Sequence, residues 1–163
     1  MTDTPPDLSN LAAQLLDAAS NAGAYAADAL AFDGTSISFE VLNGALEHAE
    51  RAEGVEIGLR VLVDGRQACV SASDTRAETM AEMAERAVAM AREAPPDPTL
   101  GLAEASELSE RVDADGLDLC DPSEEPAPAA LEDDALRAEA AALRVKGISK
   151  VHSASTAYGH RRI

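Results

Sequence analysis

The stretch Ser36–Ser73 limits the fold most strongly, because it holds the clearest strand pattern of the chain. In its centre, apolar side chains occupy every second position, at Val55, Ile57, Leu59, Val61 and Val63. This two-residue period is typical of a half-buried strand. Asp64–Gly65 follows directly, and an Asp-Gly pair supplies the positive φ angles of a tight hairpin. The pattern predicts a strand-turn-strand core, in which no residue indicates chemistry.

The apolar part of the chain is made of small side chains. Of 163 residues, 46% are hydrophobic, yet only two are Phe and two are Tyr, and Trp is absent. Ala, Leu and Val must therefore fill the core, and each residue buries a modest apolar area. A length of 163 residues fits one domain, or one domain with an appendage.

The charge balance argues against direct nucleic-acid binding. Thirty acidic residues face thirteen basic ones, for a net charge of -17, and such a chain repels phosphate backbones and anionic lipids. The excess is concentrated in Glu104–Asp134, which holds twelve acidic residues and one basic residue. The amino terminus has no secretory-signal pattern, and no apolar run is long enough to span a membrane. We therefore expect a cytoplasmic protein that binds neither nucleic acid nor membrane.

The first half of the chain alternates between helix and strand signals. Ser9 or Asn10 can cap a first helix that ends at Gly23. The stretch 24–32 is predicted to be a strand, joined by a hairpin at Asp33–Gly34 to a second strand over 36–42. Asn43–Gly44 is a further hairpin signal, but 45–53 consists of good helix formers. An irregular or edge strand is preferred for Ala45–Glu53, with a short helix as the alternative.

The second half begins with a helix and ends with a strand. Thr75 and Glu78 have the spacing of a capping box, and Met80, Met83, Ala84, Ala87, Val88 and Ala91 form an apolar stripe that predicts a core-facing helix ending at Pro95–Pro96. Leu131, Leu136 and Leu143 mark a third helix that ends near Gly147. Alternation resumes over Ile148–Ile163, with a turn expected at Tyr158–Gly159. An unpartnered strand rarely ends a domain, so we expect a larger protein to continue beyond Ile163.

These elements predict an α+β fold: an antiparallel meander sheet of four to five strands with helices packed on one face. The expected organisation is a disordered lead-in over 1–8, an α+β core over 9–94 and an acidic, Pro-containing connection over 95–130. The last part, 131–163, is a helix and the start of a strand leading into a missing carboxy-terminal region.

Candidate catalytic and metal-binding residues are few. His48, His152 and His160 are scattered and match no metal-ligand pair, and Cys69 and Cys120 are far apart without a CxxC spacing. The stretch VDADGLDLCD, 112–121, only approaches a calcium-loop pattern, so a solvated loop is preferred. The phosphate-binding and nucleophile motifs GxSxG, GxGxxG and the P-loop are absent. We assign no catalytic, cofactor-binding or metal residue, and the chain shows no enzyme chemistry of its own.

The run EGVEIGLRVLVDGRQACVSASD, 53–74, resembles the amino-terminal region of the TldD/PmbA family, most closely the PmbA (TldE) branch. Further similar pieces occur in the expected order: the strand at Tyr25–Ala26, FEVLNGALEHAERAE, REAPPDP, LDLCDP and GISKVHSASTAYG.

The resemblance implies a subunit of a cytoplasmic metalloprotease in which a TldD-type and a PmbA-type chain pair. In that family the metal-binding HExxxH motif lies on the TldD-type partner, in the carboxy-terminal half, and this sequence has neither that motif nor that half. The resemblance therefore implies a scaffold and substrate-chamber part, with zinc on the TldD-type partner and a peptide or unfolded protein as substrate. The alternatives are a peptide-binding adaptor, or a gyrase-modulating adaptor suggested by an older family label.

Overall fold

The computed structural model describes residues 6–111 and 113–163. The helices are α1 (Leu8–Asn21), α2 (Ala77–Glu93) and α3 (Pro128–Leu143), with a 3-10 turn at Ala105–Glu107. The strands are β1 (Ala26–Leu42), β2 (Ala45–Val63), β3 (Arg66–Ala72) and β4 (Ala154–Arg162). They form an antiparallel sheet in the order β3-β2-β1-β4. The predicted α+β class with an antiparallel meander sheet is thus confirmed. The expected lead-in over 1–8 falls mostly on 1–5, outside the described residues.

Two compact units divide the chain. The first comprises the chain up to Asp33, Gly54–Asp113 and the last two residues, and the second comprises Gly34–Glu53 and Ala114–Arg161. Strands β1 and β2 each contribute residues to both units.

The core of the first unit is built on the alternating face of β2. Ile57, Leu59, Val61 and Val63 are buried there, as their two-residue period predicts. Asp64–Gly65 has φ angles of 49° and 70° and joins β2 to β3, which confirms the predicted hairpin. The stripe predicted on α2 is buried throughout, from Met80 to Ala91. The flexible Met and small Ala side chains of this stripe pack in one cluster with the buried residues of β2.

The helix starts differ from the predicted caps. Asp7, not Ser9 or Asn10, caps α1 by accepting the backbone N–H of Asn10 at 3.0 Å. The predicted Thr75–Glu78 capping box is wrong, because Arg76 is the residue before the first helical turn of α2 and its side chain provides no cap.

Asp74, and not the predicted capping box, provides side-chain hydrogen bonds at the amino terminus of α2. Its carboxylate accepts the N–H of Arg76 at 3.0 Å and the hydroxyl of Thr79 at 3.0 Å. The Arg76 guanidinium, then its N–H and the Thr79 hydroxyl, hold the pKa of Asp74 below its ordinary value.

The predicted hairpin at Asp33–Gly34 is wrong, since β1 runs without a break from Ala26 to Leu42. A Cβ on Gly34 would lie 2.3 Å from the carbonyl oxygen of His160 and 3.1 Å from Cα of Arg161. Gly34 therefore serves a close approach between β1 and β4 and not a turn. The turn expected at Tyr158–Gly159 is also wrong, because both residues lie inside β4, which pairs with β1.

The segment Ala45–Glu53 is a strand, the first half of β2, so the helix alternative is wrong. The turn before it at Asn43–Gly44 has φ angles of 54° and 74°, the geometry of a two-residue hairpin. Two-residue turn chemistry thus prevails over the helix propensity of ALEHAERAE.

Candidate functional site

The second unit has a small core where α3 covers β1. Ile37 and Phe39 of β1 pack against Leu131 of α3, and Tyr158 of β4 packs against this cluster. The hydroxyl of Thr156 on β4 donates to the carbonyl of Leu131 at 2.6 Å. Helix α3 is thus attached to two neighbouring strands.

A buried carboxylate fixes α3 to the β1–β2 turn. Glu139 is only 3% exposed, and its two oxygens accept the backbone N–H groups of Asn43 and Gly44, each at 2.7 Å. Charge-assisted hydrogen bonds of this kind offset the cost of burying a carboxylate. The third helix that Leu131, Leu136 and Leu143 predict is present, and its buried face consists of Leu131, Ala135 and Glu139, with four-residue spacing. The four-residue spacing of these residues is visible in the sequence. Because Glu139 is charged, however, the three residues do not form the apolar pattern that marks a buried helix face.

A second polar contact joins the hairpin to the connection that precedes α3. The Arg51 guanidinium donates to Glu125 at 2.6 Å through Nη1, and to Glu53 at 2.8 Å through Nε. The Glu125 and Glu53 carboxylates, in that order, raise the pKa of Arg51, which is cationic at any physiological pH. These side chains are exposed, so the contacts orient the segment more than they stabilise it.

A groove with a volume of about 460 Å³ runs along β4 in this unit. One wall is β4 itself, from Ala157 to Arg161, and the other is the connection from Leu119 to Pro126. Leu119 is 75% exposed and offers an apolar surface at the mouth. The volume lies within the range typical of ligand sites. We refer to this feature as the β4 groove.

Acidic residues near the groove are engaged with neighbouring groups of the connection. The Asp121 carboxylate accepts the hydroxyl of Ser123 at 2.6 Å and its N–H at 2.9 Å, and these two donors lower the pKa of Asp121. Arg111 forms an ion pair with Asp113 at 2.6 Å. The turn in between contains Gly116 and Asp118 at positive φ angles of 76° and 50°. The Asp121 carboxylate thus orders the backbone of its own loop at Ser123.

The histidines and cysteines occupy separate positions. His48 lies on β2 with its ring nitrogen 3.6 Å from Glu50, His160 lies on β4, and His152 lies between α3 and β4. Cys69 on β3 and Cys120 at the β4 groove are free, exposed thiols. Over residues 6–111 and 113–163, no three His, Cys, Asp or Glu side chains are grouped so as to hold a metal ion.

Comparison with known proteins identifies the family of the central segment. Residues 27–91 match the model of the PmbA/TldA metallopeptidase domain 1. This segment is similar to the first domain of the PmbA/TldD family. It contains all but the first residue of β1, all of β2 and β3 and most of α2, so the similarity covers the strand-turn-strand core described above. No curated protein sequence matches the chain.

Two crystal structures are similar to most of the chain. TldE from Thermococcus kodakarensis matches with a TM-score of 0.61 and 16% identity, over 93% of this chain and 33% of that one. A candidate modulator of DNA gyrase from Bacteroides thetaiotaomicron matches with a TM-score of 0.57 and 20% identity, over 94% of this chain and 34% of that one. At these identities the similarity establishes the fold. The chain spans about one third of the length of both proteins.

None of the helices in the described part of the chain is long and apolar enough to cross a bilayer.

Proposed function

We propose that this chain is the amino-terminal domain of a PmbA/TldE-type subunit, which works with a TldD-type partner as a two-subunit metallopeptidase. The partner carries the HExxxH motif and its zinc, and this domain forms scaffold and part of the substrate chamber. The match of residues 27–91 to a metallopeptidase first domain carries the proposal. The resemblance of 53–74 to the PmbA (TldE) branch, and the fold that the chain shares with TldE from Thermococcus kodakarensis, support the choice of this branch.

The physical features of the domain suit a scaffold. Its polar contacts join side chains to the backbone of other elements: the Glu139 carboxylate accepts the N–H groups of the β1–β2 turn, and the Thr156 hydroxyl donates to the carbonyl of Leu131. Its histidines lie on separate elements, and the Cys120 thiol and the Asp121 carboxylate contact their own loop. The net charge of -17 favours protein substrates over direct DNA contact.

Peptide cleavage by the reconstituted pair tests the proposal. The full-length subunit that contains this domain is mixed with its TldD-type partner, and cleavage of an unfolded peptide is followed by mass spectrometry. We expect cleavage only when both subunits are present, and its loss when the HExxxH histidines of the partner are substituted. Cleavage by the subunit containing this domain alone, with added zinc, would contradict the proposal.

A second candidate function is peptide capture without a protease role, and the β4 groove favours it. Strand β4 lies at one end of the strand order, where an extended peptide can add to a sheet edge. Titration of the chain with an unfolded peptide should then shift the amide resonances of Ala154–Arg162. Unchanged amide resonances in β4 at saturating peptide would exclude this function.

A further inference from the structure

A cleft with a volume of about 320 Å³ lies between α1 and α2 of the first unit. The apolar part of its lining consists of small or flexible side chains, at Ala18 and Ala22 of α1 and at Met80 and Ala81 of α2. Ala18 and Ala22 pack against the core cluster that contains Met80, so this lining is continuous with the core of the unit. Because alanine has no side-chain atom beyond Cβ, the two helices leave space between them here. We refer to this feature as the α1–α2 cleft.

The polar part of the lining is acidic, and no basic side chain of the described residues contributes to it. Helix α1 provides the Asp17 carboxylate and the carboxamides of Gln14 and Asn21, and α2 provides the Glu85 carboxylate. Asp17 and Asn21 are four residues apart, which places them on one face of α1. Carboxylates from both helices therefore border the same cleft.

The four polar side chains of the cleft are available to a ligand. None of them forms an ion pair or a hydrogen bond with residues 6–111 or 113–163. Other carboxylates of this unit differ, because Asp28 pairs with Arg60 and Asp74 pairs with Arg76. Each carboxylate offers two acceptor oxygens, and each carboxamide offers one. A cation bound between the two carboxylates would use these acceptors and relieve the repulsion between the like charges.

We propose that the α1–α2 cleft binds the arginine side chain of a peptide segment from another protein. The guanidinium has five N–H donors in a planar fork, and it is more weakly hydrated than a lysine ammonium. It donates to Asp17 and Glu85 at once and has further donors for a carboxamide oxygen. The aliphatic stem of the arginine lies on the apolar lining near Ala18 and Ala81, since long cationic side chains bury their methylene groups on apolar surface.

Charge and size favour this occupant over other ligands. The two carboxylates and the net charge of -17 oppose an anionic group. An apolar side chain would desolvate both carboxylates without giving them a partner. The volume is near the lower end of the range for ligand sites, which suits one long side chain better than a whole helix. The binding uses only α1 and α2 and is independent of the proposed metallopeptidase role.

Titration of the full chain with a short peptide, followed by the amide resonances of the protein, tests the proposal. The probe is an acetylated and amidated Gly-Ala-Arg-Ala-Gly peptide, in about 0.15 M sodium chloride to screen general attraction to the acidic chain. We expect saturable shifts centred on Ala18, Ala22 and Ala81. The same peptide with citrulline, which keeps the shape of arginine without its charge, should cause no saturable shift. A lysine peptide should bind several-fold more weakly.

Substitutions in the cleft separate its charge from its shape. Asp17→Asn and Glu85→Gln each remove one carboxylate, and each should weaken binding about fivefold. Ala81→Leu places a larger side chain in the lining without a change of charge and should weaken binding at least as much. The matched control is Glu93→Gln, which makes the same charge change on α2 outside the cleft and should leave the dissociation constant unchanged. Far-ultraviolet circular dichroism verifies that each variant is folded.

Several results would overturn the proposal. The first is an arginine peptide that causes no saturable shift at about 10 mM. The second is a citrulline or lysine peptide that binds as tightly as the arginine peptide. Equal weakening by Glu93→Gln and Glu85→Gln would show general attraction to negative charge in place of a site. Binding that Ala81→Leu leaves unchanged would place the peptide outside the cleft.

Discussion

Glu139 is a buried residue of α3 whose carboxylate binds the β1–β2 turn. The turn residues Asn43 and Gly44 both have positive φ angles, and their consecutive N–H groups point at the same carboxylate. A carboxylate accepts two such donors, whereas an amide accepts with one atom only. The same position filled by a hydrophobic residue would leave two donors of the turn without their acceptor.

Replacing Glu139 should therefore loosen α3. We expect Glu139→Ala to lower the free energy of unfolding by about 2–4 kcal/mol, because two charge-assisted hydrogen bonds are lost. Glu139→Gln should lose about half as much, since one N–H keeps an acceptor. Urea denaturation followed by circular dichroism measures both. The matched control is Glu132→Ala on the same helix, at a position that is not buried, where the change should stay within about 0.5 kcal/mol. Equal losses at 139 and 132 would contradict the role of the turn contact.

Gly34 provides a second residue-scale prediction. Gly34→Ala would place a methyl group against the β4 backbone at His160, which cannot move aside as a flexible side chain could. We expect a loss of about 1–3 kcal/mol in the free energy of unfolding.

Gly58→Ala is the control for Gly34→Ala. Its Cβ would meet nothing within 4 Å, so the unfolding free energy should stay constant or rise by roughly 0.5 kcal/mol. Calorimetry distinguishes the two outcomes. A Gly34→Ala protein as stable as Gly58→Ala would show that β1 and β4 do not approach closely.

At the scale of elements, sequence patterns correctly predicted those features that depend on residues close together in the chain. The alternation of β2, the turn at Asp64–Gly65 and the apolar stripe of α2 all follow from residues close in sequence. The unbroken β1 could not be predicted, because the reason for Gly34 is a strand more than 120 residues later. The orientation of α3 was missed for the same reason: its buried Glu139 binds a turn 95 and 96 residues away.

The candidate site was predictable only in part. The resemblance of the central segment to the PmbA/TldD family was evident from 53–74, and the match of residues 27–91 to the model of that family's first domain confirms the resemblance. The β4 groove was not foreseen, because its two walls, near Leu119 and near Tyr158, are far apart in sequence and carry no shared motif. Pairing of distant segments is where sequence periodicity contains no information.

The start of α2 gives a pH prediction. The folded pKa of Asp74 lies below the ordinary value of 3.8, so the unfolded chain takes up a proton first as the pH falls. The stabilisation by Asp74 is complete above about pH 5 and is lost as the pH falls below 4 toward the folded pKa.

Asp74→Asn, which does not titrate, should flatten the decline of unfolding free energy between about pH 4 and pH 2. Thr79→Val removes one hydroxyl donor and should flatten it less. Asp97 and Asp121 also have lowered pKa values, from Thr99 and Ser123, so some slope should persist in both variants. An unchanged slope in Asp74→Asn would show that this carboxylate does not stabilise the helix.

At the scale of the whole molecule, the net charge of -17 is the property that most affects stability in solution. Self-repulsion of like charges opposes the compact state, and salt screens it because the Debye length falls from about 30 Å at 0.01 M to about 8 Å at 0.15 M. Salt also weakens favourable ion pairs, but those at Arg51, Arg76 and Arg137 are exposed and contribute little. We therefore expect the urea midpoint of unfolding to rise when sodium chloride increases from 0.01 to 0.15 M, by about the equivalent of 1 kcal/mol.

The acidic connection should account for part of this response to salt. Glu110→Gln, Asp118→Asn and Glu124→Gln remove three negative charges at exposed positions, and Asn tolerates the positive φ angle of 50° at position 118. The triple variant should be more stable than the unchanged chain at 0.01 M salt and should gain less from added salt. Three amide substitutions at exposed positions of α2, at Glu82, Glu85 and Glu93, remove the same number of negative charges and distinguish local from overall repulsion. If both triple variants reduce the salt response equally, total charge governs it; if only the first does, the repulsion resides in the connection. A midpoint that falls with salt in the unchanged chain would mean that ion pairs outweigh self-repulsion in this protein.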